Sequence, residues 1–147
     1  MFVIDKCMSK VGTIGYHYII EATGCDPKIL ADSKRLRDIL TESAKVGMMD
    51  IRIVHFYKFS PTGVSGMIVV SESHISIHTW PEEGYAAIDV YICGTKSEPE
   101  KTIEYILEHI KAKYAHITEI KRGIKDNDEY THSILSWDET FEGSNQD

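Results

Sequence analysis

The chain has 147 residues, of which 42% are hydrophobic and 27% are charged, and its formal net charge is −7 at pH 7. This length fits one domain around one core, and a sequence without a basic stripe excludes a nucleic-acid surface of the usual kind. No apolar run reaches the length of a membrane span. The N-terminal run MFVIDKCMSKVG has an acidic residue and very few consecutive apolar ones, so it does not resemble a signal peptide and a cytoplasmic location is expected.

Hydrophobic periodicity and turn residues divide the chain into predicted strands and helices. In chain order these are a strand over 13–22, a helix over 27–46, a strand over 51–59, a strand over 66–72 that continues extended through 73–80, a strand over 85–93, a helix over 98–114 and a short strand over 116–121. Asp26 followed by Pro27 is a helix-start signal, and Gly47 is a plausible C-cap.

The predicted order is therefore β-α-β-β-β-α-β. Because the links between the middle strands are short, those strands are expected to pair antiparallel. With two helices on one face, the fold class is α+β, a two-layer sandwich built on a mainly antiparallel sheet. Residues 1–124 are expected to form this single domain, and 125–147 are expected to form a polar C-terminal tail.

One face of the predicted sheet is unusual for a solvated surface. Strand alternation places Ile75 and Ile77 on one side, with His74, Ser76, His78 and Trp80 on the other. The same alternation in 85–93 groups Asp89, Tyr91 and Cys93 on the polar side. A Trp and a Tyr beside a Cys on one face indicate either an interface between subunits or a functional site.

Two simple kinds of site can be weighed on this face. His74 and His78 have a spacing that works for a metal on a helix, but on a strand they lie about 13 Å apart, too far to share one zinc ion. No metal site is therefore expected. A Cys–His hydrolase is chemically reasonable, but no oxyanion-hole signature accompanies Cys93 and His78. The odd number of cysteines, at positions 7, 25 and 93, excludes a simple disulfide framework.

The chain contains three long and unusual stretches: KFSPTGVSG at 58–66, SESHISIHTWPE at 71–82 and GYAAIDVYICG at 84–94. Together with the shorter pieces Gly15-Tyr16-His17, Gly24-Cys25-Asp26 and Lys121-Arg122-Gly123, they resemble prokaryotic S-adenosylmethionine decarboxylase proenzymes. The resemblance runs from about residue 15 to 123 and does not cover the tail.

The resemblance implies a proenzyme that cleaves its own Glu72–Ser73 bond. The Ser73 hydroxyl attacks the Glu72 carbonyl to give an ester, and β-elimination releases residues 1–72 from residues 73–147. The dehydroalanine left at position 73 takes up water, loses ammonia and becomes a pyruvoyl group. This group forms a Schiff base with the substrate amine and accepts the electrons left by CO₂, so neither pyridoxal phosphate nor a metal is expected.

The same resemblance implies roles for three further residues in the chemistry. His78 is the base that drives the elimination, since an imidazole titrates near working pH. Cys93 is the proton donor to the substrate carbon after CO₂ leaves. Ser65 assists processing through a hydrogen bond, or is only a small residue beside a turn. A kink at 72–74 is expected, because Ser73 has the opposite parity to His78.

Substrate recognition is also implied by the resemblance. Phe59 and Trp80 are similar to aromatic walls for adenine, and Glu82 is similar to an acid that binds ribose hydroxyls. Their plainer alternatives are interface aromatics and an exposed turn carboxylate.

The expected function is decarboxylation of S-adenosylmethionine, which supplies the aminopropyl donor for spermidine synthesis. Two alternatives remain open at this point: a pyruvoyl-dependent decarboxylase of arginine or another basic amino acid, and a dimeric binding module without catalysis. The family's small members pair, so a homodimer of processed protomers with sites near the interface is expected.

Overall fold

A computed structural model describes residues 15–93, 96–123 and 132–138. Within these ranges the elements are, in chain order, β1 (Gly15–Thr23), α1 (Pro27–Leu30), α2 (Ser33–Val46), β2 (Ile51–Lys58), β3 (Val64–Val70), β4 (Ser73–Trp80), a 3-10 helix (Pro81–Glu83), β5 (Tyr85–Cys93), α3 (Pro99–His109), β6 (Tyr114–Arg122) and β7 (His132–Asp138).

The strands form one antiparallel sheet in the order β2-β3-β4-β5-β1-β6-β7. The helices cover one face of this sheet, and the core lies between the two layers. Ile75, Ile77 and Val90 are fully buried there, as strand alternation predicts. The predicted two-layer α+β class is confirmed.

The predicted helix over 27–46 is two helices that meet at Ala31–Asp32. Asp26 caps the first helix by accepting a hydrogen bond from the Lys28 amide at 2.9 Å. Asp32 caps the second by accepting one from the Arg35 amide at 3.0 Å. A second N-cap side chain inside the apolar pattern therefore starts a new helix.

The predicted extended run over 66–80 is wrong, because a two-residue turn breaks it into β3 and β4. Val70 pairs with Ser73, so Ser71 and Glu72 form the connection of a tight hairpin. Ser71 has a φ of 45°, the left-handed region that such short hairpin turns use. This reversal precedes Ser73, and β4 pairs regularly from Ser73 to His78, so Ser73 keeps the opposite parity to His78 and the expected kink does not bring it to the same face.

The C-terminal half also differs from the prediction at two places. The predicted helix over 98–114 ends at His109, and Tyr114 already belongs to β6. Residues 132–138, predicted to be tail, form β7 beside β6, with Leu135 and Trp137 packed against the core. The remaining tail residues, 125–131 and 139–147, and Cys7 lie outside the described residues.

The face opposite the helices is called the outer face below. It carries the alternate side chains of every strand, including His74, Ser76, His78 and Trp80 on β4. Its most exposed large apolar side chains include Ile53, Tyr57 and Met67. Across the described ranges, no helix combines the length and the apolar character needed to cross a membrane, and the cytoplasmic location stays a prediction.

Candidate active site

Ser73 is the first residue of β4, at one end of the sheet, and strand alternation groups it with Ile75 and Ile77 on the helix-facing side. Ser73 lies directly after the hairpin turn, and its Oγ accepts a hydrogen bond from the Cys93 amide at 2.8 Å. Both residues are half-buried. The register brings them together because His74 pairs with Tyr91, so the start of β4 lies beside the end of β5. The serine at the expected cleavage site and the expected proton donor are therefore neighbours.

A carboxylate flanked by polar side chains lies further along the outer face, on Asp89, four positions before Cys93 on β5. His17 Nε2 and Asp89 Oδ1 are 2.8 Å apart, an ion pair when the imidazole is protonated. Ser76 donates a longer hydrogen bond of 3.4 Å to Asp89 Oδ2. The other histidine of this group, His74, has a lowered pKa, first through burial and then through the nearby charges of His17 and Arg122.

Tyr91 lies at the centre of this end of the sheet. Its ring centroid is 5.7 Å from that of His74 and 5.9 Å from that of His17. The guanidinium carbon of Arg122, on β6, lies 4.8 Å from the centroid of the same ring. We call Ser73, Cys93, Tyr91 and their neighbours His17, His74, Asp89 and Arg122 the Ser73 end.

The opposite end of the outer face contains His78. Ser65 on β3 pairs with His78 on β4, and Ser65 Oγ lies 2.7 Å from His78 Nδ1 in a hydrogen bond. The His78 ring is exposed, so its Nε2 is open for contact. A serine that holds one ring nitrogen orients the imidazole and leaves the other nitrogen free to take a proton.

The three side chains predicted to bind substrate lie at this same end. Phe59 is 49% exposed and meets Tyr57 edge to face, at 4.8 Å between ring centroids. Trp80 is 42% exposed and lies 5.3 Å from the Tyr85 ring. Glu82 is exposed in the 3-10 helix that follows Trp80. We call these residues, with Ser65 and His78, the His78 end.

One chain does not bring the two ends together. His78 follows Ser73 by five positions on β4, which separates their Cα atoms by about 16 Å. His78 pairs with Ala87, so Cys93 lies six positions further along β5, at about 20 Å. Strand alternation correctly predicts that His78 and Cys93 share a face, but it carries no information on their distance.

Sequence reasoning assigned no role to His17 and did not consider Arg122 on its own. Both join the Ser73 end because β1 is inserted between β5 and β6, where His17 faces Tyr91 and Arg122 faces Gly15. Alternation along β1 could have placed His17 on the polar face. No local signal predicts which strands flank β1.

Grouped histidines and acids raise the question of a metal. Among residues 15–93, 96–123 and 132–138, no three His, Cys, Asp or Glu side chains come together closely enough to hold an ion. His74 and His78 lie on one strand, four positions apart.

Known proteins resemble this chain over most of its length. A family model described as S-adenosylmethionine decarboxylase matches residues 16–123. An S-adenosylmethionine decarboxylase proenzyme of Thermococcus gammatolerans is 61% identical over 135 residues, which cover 91% of this chain and 94% of that protein. The proenzyme of the same name from Pyrococcus furiosus is 58% identical over 134 residues, covering 90% of this chain and 96% of that one.

A solved structure matches as well. The crystal structure of the adenosylmethionine decarboxylase from Aquifex aeolicus superposes with a TM-score of 0.73 at 32% sequence identity. The match covers 80% of this chain and 97% of that chain.

Proposed function

Because the chain belongs to the S-adenosylmethionine decarboxylase family, we propose that it cleaves itself at Glu72–Ser73 and then removes CO₂ from S-adenosylmethionine. The product is the aminopropyl donor for spermidine synthesis. The observation that carries this proposal is the 2.8 Å hydrogen bond between Ser73 Oγ and the Cys93 amide, which holds the serine and the thiol-bearing residue together.

The hairpin before Ser73 is suited to cleavage. Ser71 is a non-glycine residue in the left-handed region, at φ 45°, a conformation that costs about 1–2 kcal/mol for an L-residue. Strain in the turn is released when the Glu72–Ser73 bond is broken. In the ester that forms first, the Ser73 α-proton must be removed by a base, and we assign that task to an imidazole.

A pyruvoyl group at position 73 fits the residues present. The Cys93 amide that now donates to Ser73 Oγ is a donor that a carbonyl oxygen can also use. When formed, the group supplies an electron sink for the electron pair left by CO₂. The side chain of Cys93 is then the nearby thiol that can deliver a proton to the substrate carbon.

His17 and His74 also carry imidazoles at the Ser73 end, but the residue that matches the family's processing base is His78. With His78 as the base, the imidazole must come from a second copy of the chain. His78 lies about 16 Å from Ser73 on the same strand, beyond any direct proton transfer. Two copies can stack their outer faces against each other around a twofold axis that lies between the faces, perpendicular to the strands. Rotation about this axis reverses the strand direction, so the Ser73 end of one copy lies over the His78 end of the other. We therefore infer a homodimer in which His78 of the partner subunit serves Ser73, with Ser65 of the partner subunit orienting it.

The outer face supports such a contact. Ile53, Tyr57 and Met67 are between 45% and 59% exposed on it, an apolar surface that a monomer leaves in water. The same arrangement carries Phe59, Trp80 and Glu82 of the partner subunit toward Ser73, so the adenosine part of the substrate would lie across the interface. Light scattering after gel filtration at micromolar protein should give twice the mass of one chain; a monomer would contradict the shared site.

The chemistry is tested by the intact mass of freshly purified protein under denaturing conditions. We expect two chains that break between Glu72 and Ser73, with pyruvoyl in place of serine at the start of the second. Release of labelled CO₂ from S-adenosylmethionine, and not from arginine, then identifies the substrate. A stable uncut chain of 147 residues would overturn the proposal and favour a binding module.

A further inference from the structure

Tyr91 fills a space that its neighbour on β1 leaves empty. Gly15 is buried, and a Cβ added there would lie 2.8 Å from Tyr91 Cε2 and 2.9 Å from Tyr91 Oη. The phenol therefore lies over Gly15, not out into solvent. Any side chain at position 15 would displace it.

The position over Gly15 is also the position beside the Cys93 sulfur. Gly15 and Cys93 are direct partners in the antiparallel register of β1 and β5. Side chains of such partners start about 4.5–5.5 Å apart. A hydroxyl that takes the place of the Gly15 side chain is thus within hydrogen-bonding reach of the Cys93 thiol.

Neighbouring side chains hold the ring in this position. Arg122 lies over one side of the ring, and the imidazoles of His17 and His74 approach its edges at 5.9 and 5.7 Å between centroids. The electrostatics agree with the contact. The pKa of Tyr91 is raised, first by a hydrogen bond to the Cys93 side chain, then by burial and by the charge of the Cys93 thiolate, while Arg122 opposes the shift.

We propose that Tyr91 is a positioning residue whose hydroxyl donates a hydrogen bond to the Cys93 sulfur and stabilises the thiolate formed when the thiol gives up its proton. The inference rests on the proposed function, in which Cys93 is the proton donor. The proton passes from the sulfur to the substrate carbon, and the thiolate regains one from solvent before the next turnover. A hydrogen-bond donor beside a sulfur stabilises the thiolate, which makes a thiol a stronger acid, and it also fixes the orientation of the side chain.

Other charged and titratable groups lie around Tyr91. β6 contributes Arg122, whose guanidinium carbon lies 4.8 Å from the centroid of the Tyr91 ring, and β1 and β4 contribute His17 and His74 on the same face. On β5 itself, Asp89 Oδ1 lies 2.8 Å from His17 Nε2. Removing only the Tyr91 hydroxyl leaves all of these in place, so the change isolates one hydrogen bond.

The test compares the purified full-length protein with its Tyr91→Phe variant. The rate of iodoacetamide alkylation is followed from about pH 6 to pH 10, and the product is read as the mass of the proteolytic peptide that contains Cys93. Burial raises the pKa of Cys25 to about 12, so that thiol does not compete. The matched control is Tyr105→Phe, the same loss of a hydroxyl on α3, in the helical layer.

We expect the pH profile of Cys93 alkylation to move upward by about one pH unit in Tyr91→Phe and to stay unchanged in Tyr105→Phe. In the decarboxylation assay, kcat should fall roughly tenfold with KM unchanged, because only the proton transfer is affected. An alkylation profile of Cys93 in Tyr91→Phe that equals the wild-type profile would overturn the role of Tyr91. A wild-type protein that releases no CO₂ would overturn the proposed function. The alkylation rates would still show whether the Tyr91 hydroxyl contacts the Cys93 sulfur.

Discussion

The two ends of the outer face differ in nearly every physical property. The Ser73 end is half-buried and rich in polar contacts, with one hydrogen bond between His17 and Asp89 and another between Ser73 and Cys93. The His78 end is exposed and aromatic, and its polar contact is the Ser65–His78 pair. In the proposed function, one end holds the atoms that react, and the other holds the base and the surfaces for a nucleoside. The proposal therefore requires a second copy of the chain to complete each site.

The strongest test of this comparison mixes two defective chains. Ser73→Ala removes the nucleophile and His78→Ala removes the base, so each homodimer should stay uncut and release no CO₂. A heterodimer isolated with two affinity tags should cleave its Ser73-bearing chain and show about half of the wild-type activity, since one of its two sites is intact. Gel bands and CO₂ release measure the two outcomes.

The control for this mixture is a heterodimer of the wild type with the double variant Ser73→Ala/His78→Ala. If the ends are shared between subunits, both sites of this heterodimer are broken and it is inactive. If instead each chain completes its own site, the wild-type chain in this control heterodimer stays active. The heterodimer of Ser73→Ala with His78→Ala is then inactive. The two mixtures thus give opposite results for the two arrangements.

A smaller effect is expected within the His78 end. Ser65→Ala removes the 2.7 Å hydrogen bond to His78 Nδ1 and leaves the imidazole free to turn. Self-cleavage should slow roughly tenfold, the worth of one hydrogen bond to a charged group. A pulse of synthesis followed by gel analysis measures the rate. Ser136→Ala, an exposed serine on β7, is the control, and equal rates for both variants would show that Ser65 does not orient the base.

A further effect concerns the turn before the Ser73 end. In a Ser73→Ala background, which keeps the chain in one piece, Ser71→Gly should raise the free energy of unfolding by a few tenths to about 1 kcal/mol. Glycine accepts a φ of 45° without a Cβ clash, and its greater freedom in the unfolded chain offsets part of the gain. Urea unfolding measures the change. With Ser73 present, the same substitution should slow cleavage, and a faster cleavage would argue against strain in the turn.

The smallest expected effect is a pH dependence of stability at the Ser73 end. The pKa of His74 is lowered in the folded protein from its ordinary value of 6.5. Just below pH 6.5 the unfolded chain therefore binds more protons at His74 than the folded chain does. The free energy of unfolding therefore keeps its full value above about pH 6.5, as far as His74 is concerned, and decreases as the pH falls below 6.5. Urea unfolding of Ser73→Ala from about pH 8 to pH 5 should show this fall, and His74→Asn should reduce it. The exposed His116, changed to Asn, should leave the fall unaltered.

Much of the fold could be predicted because its signals are local. Alternation identified Ile75, Ile77 and Val90 as core, and Asp26 marked a helix start. The hairpin at Ser71–Glu72 was missed because the turn contains none of the Gly, Asn or Asp residues that usually announce one. The insertion of β1 between β5 and β6 depends on long-range pairing, for which neither strand carries a local signal.

The site divides in a similar way. The resemblance named Ser73, His78 and Cys93, and alternation grouped the last two on one face. The contact between Ser73 and Cys93 depends on the register of β4 with β5, and the contact of Tyr91 over Gly15 depends on the absence of a side chain on another strand. The distance between two residues of one strand, in contrast, follows from the number of residues between them once the bounds of the strand are known. This number shows that His78 is far from Ser73.

The strand order has a consequence for how the cut protein persists. Residues before the proposed cut supply β1, β2 and β3, and residues after it supply β4 to β7, yet β1 lies between β5 and β6. The two fragments are thus joined by three pairs of hydrogen-bonded strands: β3 with β4, β1 with β5 and β1 with β6. Folding of the uncut chain is an intramolecular event, whereas reassembly of the fragments is bimolecular and depends on their concentration. Cleavage at the proposed position would therefore make the persistence of the folded protomer depend on the protein concentration and on the rate at which the two fragments separate.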